Sequence, residues 1–128
     1  MILGNAIYNI LKDDSGVSAL VGTNIYPVII PQGIGDSIKY HIISDQPHDT
    51  KTGVSDFDKY RVRISSYSKR SDTVDSIDEA VREALDRFNG TVQSVNVDSI
   101  QYLTTEDGFD EDSQYFEKIS DYYIIIKT

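Results

Sequence analysis

The densest group of residues that could do chemistry is a run of carboxylates in the last quarter of the chain. It consists of Glu106, Asp107, Asp110, Glu111 and Asp112. Carboxylate oxygens gathered on a turn are the ligands that calcium prefers, and a pair of carboxylates can do acid–base work when one lies in a dry pocket. The spacing does not follow the calcium-loop pattern D-x-[DN]-x-[DN]-G-x₅-E. We therefore interpret the run as a solvated hairpin loop, with calcium binding as the alternative.

The two histidines of the chain form a second candidate site. His41 and His48 stand close in sequence to Asp45 and Asp49, and imidazole with carboxylate can bind a metal or relay a proton. However, two isolated histidines on a predicted strand and the loop after it match no usual ligand spacing. We favour a surface or hydrogen-bonded role for both histidines and predict no metal site.

Other catalytic signatures do not occur in this sequence. Ser65, Ser66 and Ser68 lie outside any G-x-S-x-G nucleophile elbow. Neither phosphate-binding pattern, G-x-x-x-x-G-K-[ST] or G-x-G-x-x-G, is present. The chain has no cysteine, which excludes a disulfide framework and a thiolate zinc site. The sequence therefore predicts a protein that is not an enzyme and that uses no cofactor.

Helices are predicted where apolar residues recur at helical spacing. Ile2 to Asp13 has one apolar face, and Val17 to Val21 adds a short helical turn closed by the glycine that follows it. Ser71 to Asn89 has the strongest pattern, with apolar residues three or four apart and charged residues between them. Ser71 or Asp72 is the expected N-cap of this helix.

Strands are predicted where apolar and polar residues alternate. Asn24 to Ile30 is expected at a sheet edge or as an irregular segment, because Pro27 interrupts it. Ile38 to Ser44 and Lys59 to Tyr67 both alternate, and they flank a polar loop, Asp45 to Ser55. Their closeness in sequence predicts an antiparallel hairpin.

The last third of the chain also reads as strands. Val92 to Thr104 changes the parity of its apolar residues, which predicts a bulge near Asp98. The acidic segment Glu106 to Gln114 is predicted to be a loop, and Tyr115 to Lys127 a long strand. Because Tyr122 to Ile126 is apolar on both faces, we expect this strand to be central or covered on both sides.

The order of these elements predicts an α+β fold, in which a largely antiparallel sheet packs against the long helix Ser71–Asn89 and the N-terminal helix. A length of 128 residues suits one domain, 1–128. No run approaches the length of a membrane span. The first residues lack the positively charged leader of a signal peptide. We therefore expect no membrane partner.

The charge of the chain narrows the choice of partners. The net charge is −9, from 12 Lys and Arg against 21 Asp and Glu. Proteins that grip duplex DNA neutralise phosphates with Lys and Arg, so this charge argues against that class. The acidic surplus serves solubility, or it keeps the surface from adhering to nucleic acid that passes close by.

Several short segments of the sequence match a known pattern. The opening AIYNILKDDSGVSALVGTNIYPVIIPQG leads from a helix to the pattern v-x-aLvG-x-x-IYP, which is followed by PQG. Farther on come KYRVRISSYS, TVDSIDEAVREALDRFNG and the closing DYYIII. Together these segments resemble the sequences of the tail-completion proteins of long-tailed phages. That family is similar to tail terminators and tail-to-head joining subunits. The pattern residues here are Val17, Ala19, Leu20, Val21, Gly22, Ile25, Tyr26, Pro27, Pro31, Gln32 and Gly33.

The resemblance covers essentially the whole chain and implies a structural role in the virion, after assembly in the host cytoplasm. It implies a ring, commonly six-fold, that halts growth of the tail tube and joins the tail to the head. The implied partners are the tail tube protein and a head connector or stopper protein, with DNA passing through without specific binding. The alternatives are another neck or minor tail component, such as a connector stopper, and a small cytoplasmic binding module with a calcium-binding acidic loop.

The resemblance makes two sets of residues candidates for contacts in the assembled particle. The two polar loops supply candidate assembly or channel residues, namely Asp45, His48, Asp49, Lys51, Asp107, Asp110, Glu111 and Asp112. Lys59, Arg61 and Arg63 share one strand face, so we expect them to pair with acidic residues of a neighbouring subunit. Tyrosine suits interfaces because it buries a ring and keeps a wet hydroxyl. Tyr115 and Phe116 are therefore further candidate contacts between subunits.

Overall fold

Three helices and six strands make up the part of the chain that the structure, a computed structural model, describes: residues 3–31, 34–47 and 57–127. In chain order they are α1 (Leu3–Asp13), α2 (Ser15–Val21), β1 (Ile25–Pro27), β2 (Ser37–Pro47), β3 (Phe57–Ser68), α3 (Ser71–Leu85), β4 (Gly90–Val92), β5 (Val95–Asp110) and β6 (Tyr115–Lys127). The strands form one sheet in the order β1-β2-β3-β6-β5-β4, in which only the β1–β2 pair is parallel. The predicted α+β class and largely antiparallel sheet are confirmed.

The two N-terminal helices form where their apolar spacing predicted them. The apolar stripe of α1 is buried along its whole length. Helix α2 begins after Asp14, whose carboxylate accepts a hydrogen bond from the Val17 backbone N–H at 3.0 Å. It ends at Gly22, which takes a φ of 62° that favours glycine. None of the described helices is long and apolar enough to cross a bilayer.

The start of α3 differs from the predicted capping. The N-cap is Arg70, and its side chain makes no capping hydrogen bond. The Asp72 carboxylate instead pairs with the Arg70 guanidinium at 3.0 Å and accepts a hydrogen bond from Thr73 N–H. The prediction of Ser71 or Asp72 as N-cap was therefore wrong, because the nearby arginine engages the carboxylate.

The end of α3 also differs, since the helix stops at Leu85 and not at Asn89. Asp86 is extended and Arg87 has a φ of 64°. The Arg87 N–H donates to the Ile100 carbonyl of β5 at 2.9 Å, and the Asp86 carboxylate accepts from Tyr102 N–H at 3.3 Å. Hydrogen bonds to the sheet thus replace the last helical turn.

The predicted β2–β3 hairpin is confirmed, with Tyr40 opposite Ile64. Strand β2 runs on to Pro47, so Asp45 lies on a strand and not in the predicted loop. The rest of that predicted loop, 48–55, lies outside the described residues. Strand β1 is short and lies at the edge of the sheet, as its proline predicted.

Strands β5 and β6 form the longest hairpin of the sheet. The predicted bulge near Asp98 is confirmed by a register shift between Val97 and Ser99, and a second shift follows between Tyr102 and Thr104. The predicted loop 106–114 is wrong for its first half, because β5 extends to Asp110 and pairs with β6 as far as Tyr115. Cross-strand contacts such as Phe109 on Phe116, with ring centroids 4.9 Å apart, hold this acidic segment extended.

The two faces of the sheet differ sharply. All three helices pack on one face, where they bury Val62 and Ile64 of β3 and Tyr122, Ile124 and Ile126 of β6 in a single core. The opposite face, called the open face below, has the alternate residues of the same strands, and most of them are partly exposed. Strand β6 is central, as its sequence predicted, but only one of its faces is deeply buried.

Two neighbouring isoleucines of β6 test this one-sided packing. We expect Ile124→Ala to lower the free energy of unfolding by roughly 2–5 kcal/mol, since it removes fully buried methyl groups and leaves a cavity. Ile125→Ala, a matched change on the open face, should cost well under half as much. Urea denaturation of both variants measures the difference, and equal losses would contradict the one-sided core.

Candidate functional site

The tightest charged cluster among the described residues lies in the middle of the open face. Asp121 of β6 is only 2% exposed, and two arginines of β3 cover it. Arg61 Nη2 lies 2.7 Å from Asp121 Oδ2, and Arg63 Nε lies 2.9 Å from Asp121 Oδ1. Residues two apart on a strand point to the same face, so β3 presents both guanidinium groups to one carboxylate.

Contacts within this cluster move the pKa values of Asp121 and Arg63 farther from neutral pH. Burial raises the pKa of Asp121, but hydrogen bonds from Arg63 and Arg61 outweigh burial and hold the pKa below its usual value. The hydrogen bond to Asp121 likewise raises the pKa of Arg63. A general acid or base works best with a pKa near the operating pH. The cluster is therefore suited to fixing geometry and charge and not to proton transfer.

The sequence placed Arg61 and Arg63 on one polar face of a strand, and the structure agrees. It gives both arginines a carboxylate within their own chain, whereas the sequence led us to expect acidic partners on a neighbouring subunit. Sequence reasoning missed Asp121 as this partner. A single aspartate just before the apolar stretch 122–126 was the available signal, because a charge in a central strand needs a partner.

A second polar cluster lies directly behind the first, on the helix-covered face. Ser120 Oγ donates to the Asp78 carboxylate of α3 at 2.5 Å. Thr105 Oγ1 lies 2.9 Å from Ser120 Oγ and 2.5 Å from the Tyr102 hydroxyl. Burial raises the pKa of Asp78, while its hydrogen bond from Ser120 acts in the opposite direction. This chain of hydrogen bonds ties α3 to β5 and β6, and the sequence analysis did not identify it.

The predicted acidic loop is spread along the β5–β6 hairpin. Asp107 and Asp110 lie near the end of β5, and Glu111 and Asp112 lie in the turn, all of them exposed. Asp107 approaches the Lys118 ammonium, with Oδ1 3.4 Å from Nζ. Within the described ranges, no group of three or more His, Asp or Glu side chains is placed to hold a metal ion.

The other predicted residues of the polar loop are only partly placed. Asp45 lies on β2 opposite Tyr60, and His41 is exposed on the same strand opposite Arg63. His48, Asp49 and Lys51 lie outside the described residues.

The two aromatic candidates make contacts within the chain. The Tyr115 hydroxyl donates to the Ile34 carbonyl at 2.6 Å and so fastens the β1–β2 connection onto the end of β6. Phe116 packs on Phe109, which stays 47% exposed near the tip of the hairpin. An exposed aromatic ring of this kind suits contact with a partner surface.

A cleft of about 330 Å³ lies beside Tyr115 at the end of the open face. Its walls include Ile30, Lys39 and Tyr67. Burial and a hydrogen bond to Glu117 raise the pKa of Tyr67, so this hydroxyl stays protonated and does not act as a base at neutral pH. The described lining of the cleft also includes Ser37, Ser113 and Asp110.

Comparison with known proteins identifies a matching family model and solved structures of similar fold. The family model described as tail completion protein gp17 matches residues 5–127. A chain of the solved structure titled "Virion of native gene transfer agent (GTA) particle" superposes with a TM-score of 0.81 at 20% sequence identity, over 96% of this chain and 92% of that chain. At this identity the likeness shows a shared fold. No curated protein sequence matches the chain.

The lowered pKa of Asp121 predicts that the protein loses stability in acid. A carboxyl with a lowered pKa stabilises the fold above its ordinary pKa, and this stabilisation is lost as the pH falls through the folded-state pKa. We expect Asp121→Asn to cost about 1–3 kcal/mol at neutral pH, since the charged hydrogen bonds are lost. The cost should shrink in acid. Asp72→Asn, which breaks the exposed pair with Arg70, is the control and should change the urea midpoint far less. Equal midpoints for Asp121→Asn and wild type would contradict the assignment.

The raised pKa of Asp78 predicts that this residue changes stability with pH in the opposite direction. Because burial raises its pKa, the folded state favours the protonated form, so the ionised carboxylate lowers stability at neutral pH. Asp78→Asn keeps an oxygen that can accept the Ser120 hydrogen bond and removes the charge. We expect its melting temperature to exceed that of wild type at neutral pH, with the difference shrinking as the pH falls. A variant that is less stable than wild type at neutral pH would contradict this account.

Proposed function

The chain belongs to the tail completion protein gp17 family, and from that premise we propose that it is a ring subunit at the head-proximal end of a phage tail tube. In this role it stops growth of the tube and joins the tail to the head connector. The match over residues 5–127 is the observation that supports this proposal. The family resemblance predicted from the sequence is thereby confirmed, and it identifies a structural protein of the phage tail.

The contacts among the described residues support the proposed role as a structural subunit. Both polar clusters, Arg61–Arg63–Asp121 and Asp78–Ser120, connect elements of the fold to one another. The helices stiffen one face of the sheet, and the other face remains available for contact. A rigid body with an uncovered face suits a subunit that meets several neighbours.

The tip of the β5–β6 hairpin is our candidate for the channel surface. Its exposed carboxylates, Asp110, Glu111 and Asp112, lie close together around the turn at 111–114. DNA has to pass a tail ring without adhering, and a negative surface repels phosphates. The loop that contains His48, Asp49 and Lys51, together with Asp45, is the second candidate for contact with the tube or the channel.

The partners in this proposal are the tail tube protein on one side and a head connector or stopper protein on the other. The exposed Phe109 ring and its neighbour Phe116 are candidate contacts at the hairpin tip. Tyr115 contributes by holding the β1–β2 connection against the same end of the sheet. Aromatic side chains are enriched where protein surfaces meet.

Tail length in particles that lack this protein tests the proposal. Without a terminating ring the tube keeps growing, so we expect overlong tails detached from heads, measured by negative-stain electron microscopy. Supplying the wild-type gene in trans should restore normal length and attachment.

Normal-length tails that fail to attach would restrict the role to joining, as for a connector stopper. Normal infectious particles would contradict the proposal. A Glu111→Lys/Asp112→Lys variant that restores length but ejects DNA slowly would support the channel assignment of the hairpin tip.

A further inference from the structure

One part of the open face is basic although the chain as a whole is strongly acidic. Four of the 12 Lys and Arg residues lie on adjacent strands there. We call them the basic patch: Lys59, Arg61, Arg63 and Lys127. Among the described residues, the accompanying carboxylates are Asp121 beneath the arginines and Glu106 and Glu117 at the border, both of which act on Arg63. The patch therefore keeps a net positive charge within a molecule of net charge −9.

The floor of the basic patch is apolar. Tyr123 and Ile125 of β6 are partly exposed between the cations, and Lys59 Nζ lies 3.7 Å from the centre of the Tyr123 ring. Asp121 fixes both guanidinium groups in place, so little side-chain entropy is lost when another surface docks on them. An apolar floor with a charged rim is typical of a protein-binding surface.

A complementary surface lies on the far side of the same molecule. The outer stripe of α3 carries Glu79 and Glu83, with Asp86 just after the helix, and we call these three residues the acidic ridge. Among the described residues, Glu79 and Glu83 form no ion pair. Arg82, which lies between them, stacks on the Tyr102 ring at 3.8 Å. Glu79 and Glu83 are exposed to solvent, whereas Asp86 is partly buried and its carboxylate accepts a hydrogen bond from Tyr102 N–H.

The positions of the two surfaces decide what kind of contact they can make. Helix α3 packs on the covered face of the sheet, and the basic patch lies on the open face, so the two surfaces point in opposite directions. A patch that binds a ridge on a second copy makes a heterologous contact, which leaves a free patch at one end and a free ridge at the other. Repetition of such a contact closes into a ring when the rotation between copies fits.

We propose that the basic patch of one copy binds the acidic ridge of the next, and that this contact builds the ring. The inference rests on the proposed function, because it assigns the surfaces of the ring proposed there. Opposite charges on the two surfaces set the register and speed the encounter of copies. Duplex DNA is the other negatively charged occupant to consider. The apolar floor and the acidic surroundings of the patch favour a protein surface.

Reciprocal charge reversal tests the contact. Glu79→Lys/Glu83→Lys reverses the ridge, and Lys59→Glu/Lys127→Glu reverses the patch while Arg61, Arg63 and Asp121 stay intact. We expect each variant alone to lose the ring species that wild type forms, measured by native mass spectrometry. An equimolar mixture should regain it, since the reversed ridge of one variant matches the reversed patch of the other. Asp13→Lys/Asp72→Lys reverses two exposed carboxylates outside both surfaces, carries the same charge change as the ridge variant and should assemble normally.

If wild type is monomeric in solution, the same variants are scored in cells that lack the gene. There the two variants should restore tail length and attachment only when they are expressed together. Assembly by either variant alone, or failure of the mixture although both variants melt like wild type, overturns the contact. Patch reversal that leaves rings intact and alters retention of duplex DNA overturns it in favour of nucleic acid.

These outcomes separate the two proposals. Rings that form through other surfaces, with overlong tails in the deletion, overturn the contact and leave the proposed function standing. Normal virions in the deletion overturn the proposed function whatever the mixtures show.

Discussion

The structure depends on β6, because this central strand has to satisfy two different surroundings at once. Its even-numbered residues from Ser120 to Ile126 face the helices, and its odd-numbered residues face the open side. Adjacent residues Ser120 and Asp121 extend this division to polar groups, since one binds Asp78 of α3 and the other binds two arginines of β3. A one-residue slip of β6 would place a charged aspartate in the core, so both polar clusters specify the register.

Burying a charge is costly, and Asp121 shows how this fold meets the cost. Two arginines supply hydrogen bonds to both carboxylate oxygens while keeping contact with water on their outer side. A pair of this kind adds less stability than its short distances suggest, because desolvation offsets much of the attraction. Its clearer contribution is a fixed arrangement of guanidinium groups on the open face. That arrangement is what a surface needs if copies of the chain are to dock with little loss of entropy.

The distribution of charge connects this architecture with the proposed role. Four cations of the chain lie on the open face, whereas exposed carboxylates lie along the outer side of α3, on either side of Arg82, and around the β5–β6 turn. A uniformly acidic molecule would repel its own copies as well as DNA. Separation of the two signs onto opposite sides allows copies to attract one another while the hairpin tip stays negative. The family of the chain, the packing of all three helices on one face and the charge pattern support the same proposal. In this proposal the protein acts through its shape and its electrostatics.

Local patterns in the sequence correctly predicted most helices and strands, the α+β class and the family. Apolar spacing defined the buried faces of α1 and α3, and alternation on β3 correctly separated Val62 and Ile64 from Arg61 and Arg63. Local patterns succeed here because each depends on residues within a few positions of one another. The sequence failed where partners are distant in the chain. The arginines at 61 and 63 find their carboxylate about 60 residues later. The last predicted turn of α3 gives way to hydrogen bonds with β5, and the acidic segment at 106–110 becomes strand because β6 pairs with it. These features follow from the tertiary fold, because the pairing of distant strands selects which polar groups meet and local preference does not.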